Sequence, residues 1–359
     1  MTKQEYMRMA VALAKKGEGH TSPNPMVGCV VVKDGRIVAQ GFHEQYGGFH
    51  AERNALTKCG EDVTGADLYV TLEPCCHHGK TPPCTDIMIE RGIGRVFIGA
   101  MDPNPKVAGR GAQILREHGM EVETGVLEKE CLELNEVFMH YIVNKQPYIV
   151  MKYAMTLDGK IATFTGDSKW VTGEPAREHV QLLRKRYSAI MIGIGTVFAD
   201  DPMLNCRIED GVNPVRVICD SHLRIPLNSR IVSTAREIRT IVAYVSADET
   251  KKEALLNAGV ELIVSGEGDR VDFTALVQEL GRMDIDSILI EGGGDLHGTV
   301  LKSGLVNRIY CYVAPKLIGG RDARSPVEGD GFPLMKEALD IREMEIIKLG
   351  NDICITGIV

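Results

Sequence analysis

The sequence predicts two consecutive α/β domains, and three observations carry that prediction. Helix-periodic and strand-like segments alternate through both halves, the alternation is interrupted at Lys145-Gln146-Pro147, and 359 residues exceed what one hydrophobic core ordinarily holds. The predicted domains are therefore residues 1–146 and 147–359.

The first domain opens on a helix. Thr2 followed by Glu5 is a capping-box pattern, and Tyr6, Met9, Ala10, Leu13 and Ala14 recur at helical spacing before Gly17. Two β-rich runs, 27–33 and 37–43, flank Asp34-Gly35, the dipeptide of a tight hairpin. The rest reads helix (51–60), strand (67–72), helix (84–92), strand (95–100) and helix (109–119), and then a single helix across 127–145. This predicts a sheet covered by helices.

The second domain begins at once with a strand over 149–157. Further strands are expected around 189–195, 215–220, 240–245, 261–266, 286–293, 308–317, 344–350 and 353–359, with helices between several of them. No repeat relates the two halves.

Composition removes several function classes. Hydrophobic residues make 44% of the chain and charged ones 25%, which excludes a mainly disordered protein. The formal charge of −8 is shared by both halves, so a long anionic polymer is repelled and nucleic acid is not an expected partner. The first residues lack a basic stretch followed by an apolar block, and no run reaches the length of a membrane span, so a cytoplasmic protein is expected. Ten cysteines in such a chain read as buried thiols or metal ligands rather than a disulfide framework.

The chemistry-bearing pattern of the first half is His50-Ala51-Glu52 opening a helix, then Glu73-Pro74-Cys75 after a strand, then Cys84 at the next helix. One imidazole and two thiolates are a set that catalytic zinc uses, leaving the fourth tetrahedral position to water. Zinc brings the pKa of that water to about 7, and helix beginnings favour the thiolate form expected of Cys75 and Cys84. Glu52, two residues past the imidazole, is placed to carry protons without binding metal itself. Zinc nucleobase deaminases share His-x-Glu followed by Pro-Cys-x-x-Cys. Here eight residues separate the cysteines, and Cys76, His77 and His78 in that insert compete as ligands, so spacing alone does not choose among them.

The second half lacks the Gly-x-Gly-x-x-Gly fingerprint of dinucleotide-binding folds. It has instead a buried strand running into Gly292-Gly293-Gly294 and a helix, where backbone amides can approach a phosphate.

Taken together, His50-Ala51-Glu52, TLEPCCHHGKTPPC (71–84) and MDPNPKVAGRG (101–111) resemble the bifunctional riboflavin-biosynthesis deaminase/reductase family. MKYAMTLDGKIA (151–162), SKWVTG (168–173), GIGTVFADDPMLNCR (193–207) and IEGGG (290–294) extend the resemblance through the second half. It implies a cytidine-deaminase-like three-layer domain followed by a dihydrofolate-reductase-like α/β domain. It also implies zinc on His50, Cys75 and Cys84, Glu52 as proton carrier, and Asn24, His43, His77 and Lys80 against the first substrate. That substrate is 2,5-diamino-6-(ribosylamino)pyrimidin-4-one 5′-phosphate, deaminated first and then reduced by NADPH at its ribosyl chain.

For NADPH the resemblance implies contacts from Ala154, Trp170, Thr196, Asp200, Ser221, Gly293 and Gly294. The ribosyl phosphate is expected at Ser168, Arg184, Leu204, Arg207 and Glu291, with the two arginines as anion partners. Lys152, Asp200 and Glu291, ionisable residues near predicted strand ends, are the candidates for proton handling in the reduction. A homo-oligomer is expected as well. The competing readings are a nucleic-acid-editing deaminase, which the acidic balance opposes, a zinc-stabilised nucleotide-binding protein without turnover, and a deaminase with a merely structural second domain.

Overall fold

The periodicities read above become, in a computed structural model describing all 359 residues, two units: Met1–Lys145 and Gln146–Val359. The first contains α1 (Lys3–Ala14), β1 (Gly28–Lys33), β2 (Arg36–Phe42), α2 (Ala51–Lys58), β3 (Asp67–Leu72), α3 (Cys84–Glu90), β4 (Arg95–Ala100), α4 (Arg110–Glu117), β5 (Glu121–Thr124), α5 (Glu128–Leu134) and α6 (Glu136–Asn144). Its sheet runs β2-β1-β3-β4-β5, antiparallel through β2, β1 and β3 and parallel from β3 to β5.

Local chemistry explains the start. The Thr2 hydroxyl accepts from Glu5 N and the Glu5 carboxylate accepts from Thr2 N, completing the capping box of α1. Asp34 and Gly35 both have positive φ, 52° and 74°, as a two-residue hairpin turn requires.

Gly28 matters for a different reason. A Cβ there would lie 1.9 Å from Ala10 O, so the missing side chain is what lets α1 lie on β1. Gly28→Ala is expected to cost about 1–3 kcal/mol, read as a lower calorimetric midpoint for the transition of the first unit.

The helix expected over 127–145 is broken. Asn135 stands between α5 and α6 with φ −113°, and its side chain accepts from Met26 N at 2.8 Å and donates to Met26 O at 2.9 Å. A bond to a segment 109 residues away outweighs local helical periodicity.

The second unit contains β6 (Tyr148–Thr156), α7 (Glu174–Arg186), β7 (Ala189–Gly193), α8 (Ile194–Asp200), β8 (Val215–Cys219), α9 (Arg230–Ser233), β9 (Thr240–Tyr244), α10 (Glu249–Asn257), β10 (Glu261–Val264), α11 (Phe273–Arg282), β11 (Ser287–Gly292), α12 (Gly294–Lys302), β12 (Val306–Ala314), β13 (Arg342–Leu349) and β14 (Asp352–Ile358). Nine strands form one sheet in the order β10-β9-β8-β7-β11-β6-β12-β14-β13. All neighbours from β10 to β12 are parallel, whereas β14 is antiparallel to both β12 and β13.

Strand period 2 sorts this sheet's apolar residues onto two faces. Ala189, Met191, Val217, Ile241 and Ala243 pack with α11 residues such as Leu276 and Leu280. The alternate residues Ile190, Ile192, Ile218 and Val242 pack with Ile225, Ile231 and Leu255. Helices on both faces leave the carboxyl ends of β7, β8 and β11 as the open rim, the position where such sheets bind ligands. No helix is long and apolar enough to cross a membrane.

Candidate active sites

The first unit brings three metal-ligating side chains together. His50 Nδ1 lies 3.4 Å from Cys75 Sγ and 3.5 Å from Cys84 Sγ, and all three donor atoms fall within 4.8 Å of one another. Tetrahedral zinc with ordinary Zn–N and Zn–S bonds separates N and S by about 3.6 Å. The donor set therefore fits the ion in both chemistry and spacing.

Each ligand is delivered by a defined piece of backbone. His50 is the N-cap residue of α2, yet its side chain makes no capping bond and so leaves the imidazole free for the metal. Cys84 is the first residue of α3, as expected. Cys75 departs from expectation: it lies in the loop after β3, not at a helix beginning. Its thiolate is favoured instead by hydrogen bonding with Cys84, which outweighs burial, and by His50. Cys84 N donates to Cys75 O at 3.0 Å and pins the two cysteines together. Cys76 is excluded because its sulfur turns away toward Lys106 O, 3.7 Å distant.

Glu52 stands in the first turn of α2 and is 2% exposed. Its Oε2 has no hydrogen-bond partner in the protein. Burial, reinforced by the charge of Cys75, pushes its pKa up to about 7. A buried carboxylate oxygen without a partner in the protein is uncommon, and here it belongs to the residue two positions after His50.

Around it, Asn24 Nδ2 sits 3.2 Å from His43 Nε2, while His43 Nδ1 lies 3.0 Å from Phe49 O. Burial lowers the His43 pKa, favouring a neutral ring. Lys80 is exposed, its Nζ 3.7 Å from the centroid of the Tyr46 ring, and His77 carries a buried Nδ1 without a partner.

Sequence reading missed Glu73. Its buried carboxylate accepts from Gly109 N at 3.0 Å, Ala112 N at 3.1 Å and Asp102 N at 3.4 Å, tying the 102–112 segment to the strand that delivers Cys75. Glu73→Gln keeps one acceptor oxygen and is expected to cost about 1–3 kcal/mol, seen as a lowered thermal midpoint and faster amide exchange at residues 109–112. Only its place beside Pro74-Cys75 hinted at this in the sequence.

In the second unit a cavity of about 1140 Å³ opens at the carboxyl ends of the strands. Ala154, Ser168, Trp170, Thr196, Ser221, Gly293 and Gly294 all line it, as do Leu204 and Arg207. Trp170 is 64% exposed, so the single tryptophan of the chain belongs to the cavity wall and not to the core.

The glycine turn fits a phosphate-bearing cofactor. Gly293 has φ 88° as the N-cap of α12, and a Cβ on Gly292 would lie 2.8 Å from Thr196 Oγ1. The missing side chain thus lets the turn lie directly against Thr196, another residue of the cavity wall.

Lys152, Arg184 and Glu291 meet on the cavity wall. Glu291 accepts from Arg184 Nε at 2.8 Å and from Nη2 at 2.9 Å, and its Oε2 lies 3.5 Å from Lys152 Nζ. Burial raises the Glu291 pKa, but Arg184 and Lys152 outweigh it and bring the group down to about 2. The third arm of Arg184, Nη1, donates to Asn205 O at 3.0 Å. The fork expected to meet a phosphate is therefore engaged with Glu291, while Arg207 is exposed at the cavity.

Asp200 is not near a strand end, as the sequence suggested, but closes α8 as an exposed residue on the cavity rim. Sequence reading also missed Arg177 and His297, which line the cavity. Arg177 was legible in principle, since it lies seven residues before Arg184 on one face of α7.

Comparison with known proteins accords with this geometry. Residues 147–355 match the RibD C-terminal domain, and residues 1–100 match the cytidine and deoxycytidylate deaminase zinc-binding region. The riboflavin biosynthesis protein RibD of Actinobacillus pleuropneumoniae is 55% identical over 100% of this chain and 96% of that protein. RibD of Escherichia coli is 39% identical, covering 99% of each chain. Among solved structures, the diaminohydroxyphosphoribosylaminopyrimidine deaminase/5-amino-6-(5-phosphoribosylamino)uracil reductase of Thermotoga maritima superposes with a TM-score of 0.87 at 41% identity, covering 99% of this chain and 97% of that one. Acinetobacter baumannii RibD gives 0.89 at 38% identity, covering 99% and 98%.

Proposed function

Since the chain belongs to the bifunctional deaminase/reductase family of riboflavin biosynthesis, we propose that residues 1–146 carry its deaminase and residues 147–359 its reductase. The enzyme hydrolyses the 2-amino group of 2,5-diamino-6-(ribosylamino)pyrimidin-4-one 5′-phosphate and then reduces the ribosyl chain to ribityl with NADPH. Zinc and NADPH are its cofactors. One observation carries the deaminase assignment: three metal-ligating atoms converge beside a buried, unpartnered carboxylate oxygen.

His50, Cys75 and Cys84 hold the zinc in this reading. When bound, the ion supplies the acidity that makes water a nucleophile near neutral pH. Glu52 Oε2 accepts the first proton of the attacking water and passes it to the ring nitrogen next to the reacting carbon; it then takes the second proton from the new hydroxyl on that carbon as the carbonyl forms and delivers it to the amino group, which leaves as ammonia when the C–N bond breaks. Asn24 and His43, already bonded to each other, orient the ring, and Lys80 and His77 in the insert between the cysteines face the rest of the substrate.

For reduction, NADPH supplies the hydride received at C1 of the opened ribose. Gly293 and Gly294 take the cofactor phosphates, with Ala154, Trp170, Thr196, Asp200 and Ser221 along its length. Ser168, Leu204 and Arg207 face the ribosyl phosphate. Glu291, held by the Arg184 fork, accepts sugar hydroxyls, and Lys152 Nζ keeps a proton at the sugar. Asp200 is exposed at the end of α8, whereas Lys152 and Glu291 are largely buried in an ion pair, which favours a contact role for Asp200 over proton transfer.

Two further parts belong to the same proposal. The exposed Met344 and Ile346 on β13 support a homo-oligomer, and ten free thiols support residence in the reducing cytoplasm. The decisive experiment measures zinc content, ammonia release and NADPH consumption on one preparation. One zinc per chain with both activities is expected. Ammonia release that survives complete zinc removal would overturn the deaminase assignment, and no NADPH consumption with deaminated substrate would overturn the reductase one.

A further inference from the structure

An exposed indole is normally mobile, yet Trp170 is held both at its ring and at its backbone. The Arg177 guanidinium lies over its ring, 4.7 Å from the centroid, and Arg177 Nη1 donates to Thr172 O at 2.8 Å. The carbonyl of Trp170 itself accepts from Lys316 Nζ at 2.5 Å. Arg177 is half-buried and has no carboxylate partner; its interactions are confined to Trp170 and Thr172.

Such an arginine is unusual in its neighbourhood. Arg184, seven residues on, spends its fork on Glu291, and a half-buried guanidinium ordinarily finds a similar acid. Arg177 instead spends its planar face on the indole and one arm on a carbonyl two residues further along the same segment. Both contacts fix residues 170–172, which line the cavity. Tryptophan is the aromatic that a cation holds best, and a wall ordered beforehand spares the ligand the entropy of ordering it.

We propose that Arg177 is a positioning residue for the cofactor: it holds the Trp170 indole in place as a wall of the NADPH cavity before NADPH arrives. This rests on the reading that Trp170 contacts NADPH. The arginine acts through the indole, and its role is distinct from that of Arg184, which holds Glu291, and of Arg207 toward the sugar phosphate.

Trp170 is the only tryptophan, so its fluorescence reports this wall without overlap from any other. NADP⁺ is titrated into the full chain by fluorescence and by calorimetry, for the natural protein and for Arg177→Met, Arg177→Lys and Trp170→Leu. For Arg177→Met the expected results are lower emission anisotropy without ligand, NADP⁺ affinity weaker by roughly 3- to 30-fold, and a loss that falls on KM for NADPH rather than on kcat. Arg177→Lys, which keeps the cation over the ring, is expected to recover part of the affinity. If Arg177→Met unfolds, Arg177→Lys carries the test, with weaker binding and raised anisotropy loss still expected.

Unchanged NADP⁺ affinity or unchanged anisotropy in Arg177→Met overturns the proposal while Trp170→Leu still weakens binding. A loss confined to KM for the deaminated sugar phosphate also overturns it, making Arg177 a substrate ligand. If Trp170→Leu binds NADP⁺ as tightly as the natural protein, the reading of Trp170 itself fails and takes the proposal with it.

Discussion

Glu52→Gln is expected to slow ammonia release by about 10²- to 10⁴-fold while zinc stays at one ion per chain. The amide has the shape of the carboxylate and leaves His50, Cys75 and Cys84 where they are, but it cannot accept the proton that water must give up. Reduction of deaminated substrate supplied from outside is the internal control for folding of the rest of the chain. Steady-state ammonia assays paired with metal analysis decide the matter. Full activity in a zinc-replete Glu52→Gln protein would remove this residue from the chemistry, and loss of zinc would assign it to holding the site together.

The second large effect concerns the Glu291 carboxylate. Arg184→Met takes away both bonds to Glu291 at once and leaves a buried negative charge facing Lys152 alone. Breaking a buried ion pair from one side costs about 3–5 kcal/mol, which for a unit of this size lowers its thermal midpoint by roughly 6–20 °C. Reductase activity is expected to fall with it if Glu291 binds the sugar as proposed, because the carboxylate loses the fork that orients it on the cavity wall.

The same pair predicts a pH response. Glu291 is held at about 2, below the ordinary 4.5. Its stabilising contribution is therefore complete above the ordinary carboxylate range and fades as pH falls from about 4.5 toward 2. Stability measured by denaturant at successive pH values should fall across that window in the natural protein. In Glu291→Gln the component due to this group should be absent, giving a shallower acid slope on a lower starting stability.

Much of this was legible in the sequence, and the exceptions have physical causes. The capping box of Thr2 and Glu5 and the Asp34-Gly35 turn are local, and local chemistry is what residues a few positions apart encode. The break at Asn135 is not local: its cause is a bond to Met26, which no window of neighbouring residues contains. Ligand choice between Cys75 and Cys76 depends on which way two adjacent side chains point, and only the fold directs one sulfur to His50 and the other to Lys106 O.

In the second unit, the cavity-lining positions of Trp170, Thr196 and Gly293 followed from family motifs, not from periodicity. The engagement of Arg184 with Glu291 joins α7 to β11 across 107 residues, so residue type alone suggested a free anion partner. Asp200 was misplaced because the strand pattern of 189–195 continues smoothly into a helix at Ile194.

The order of strands in the larger sheet bears on how the protein is made. Everything the first five-stranded sheet needs has been translated by residue 145. The other sheet places β14, the last strand in chain order, between β12 and β13. Until residues 352–358 leave the ribosome, β12 presents a bare row of amides and carbonyls to the crowded cell. Stalled or prematurely released chains should therefore carry a finished first unit and a sticky, unfinished second one, and that second unit is where chaperone demand is expected to concentrate.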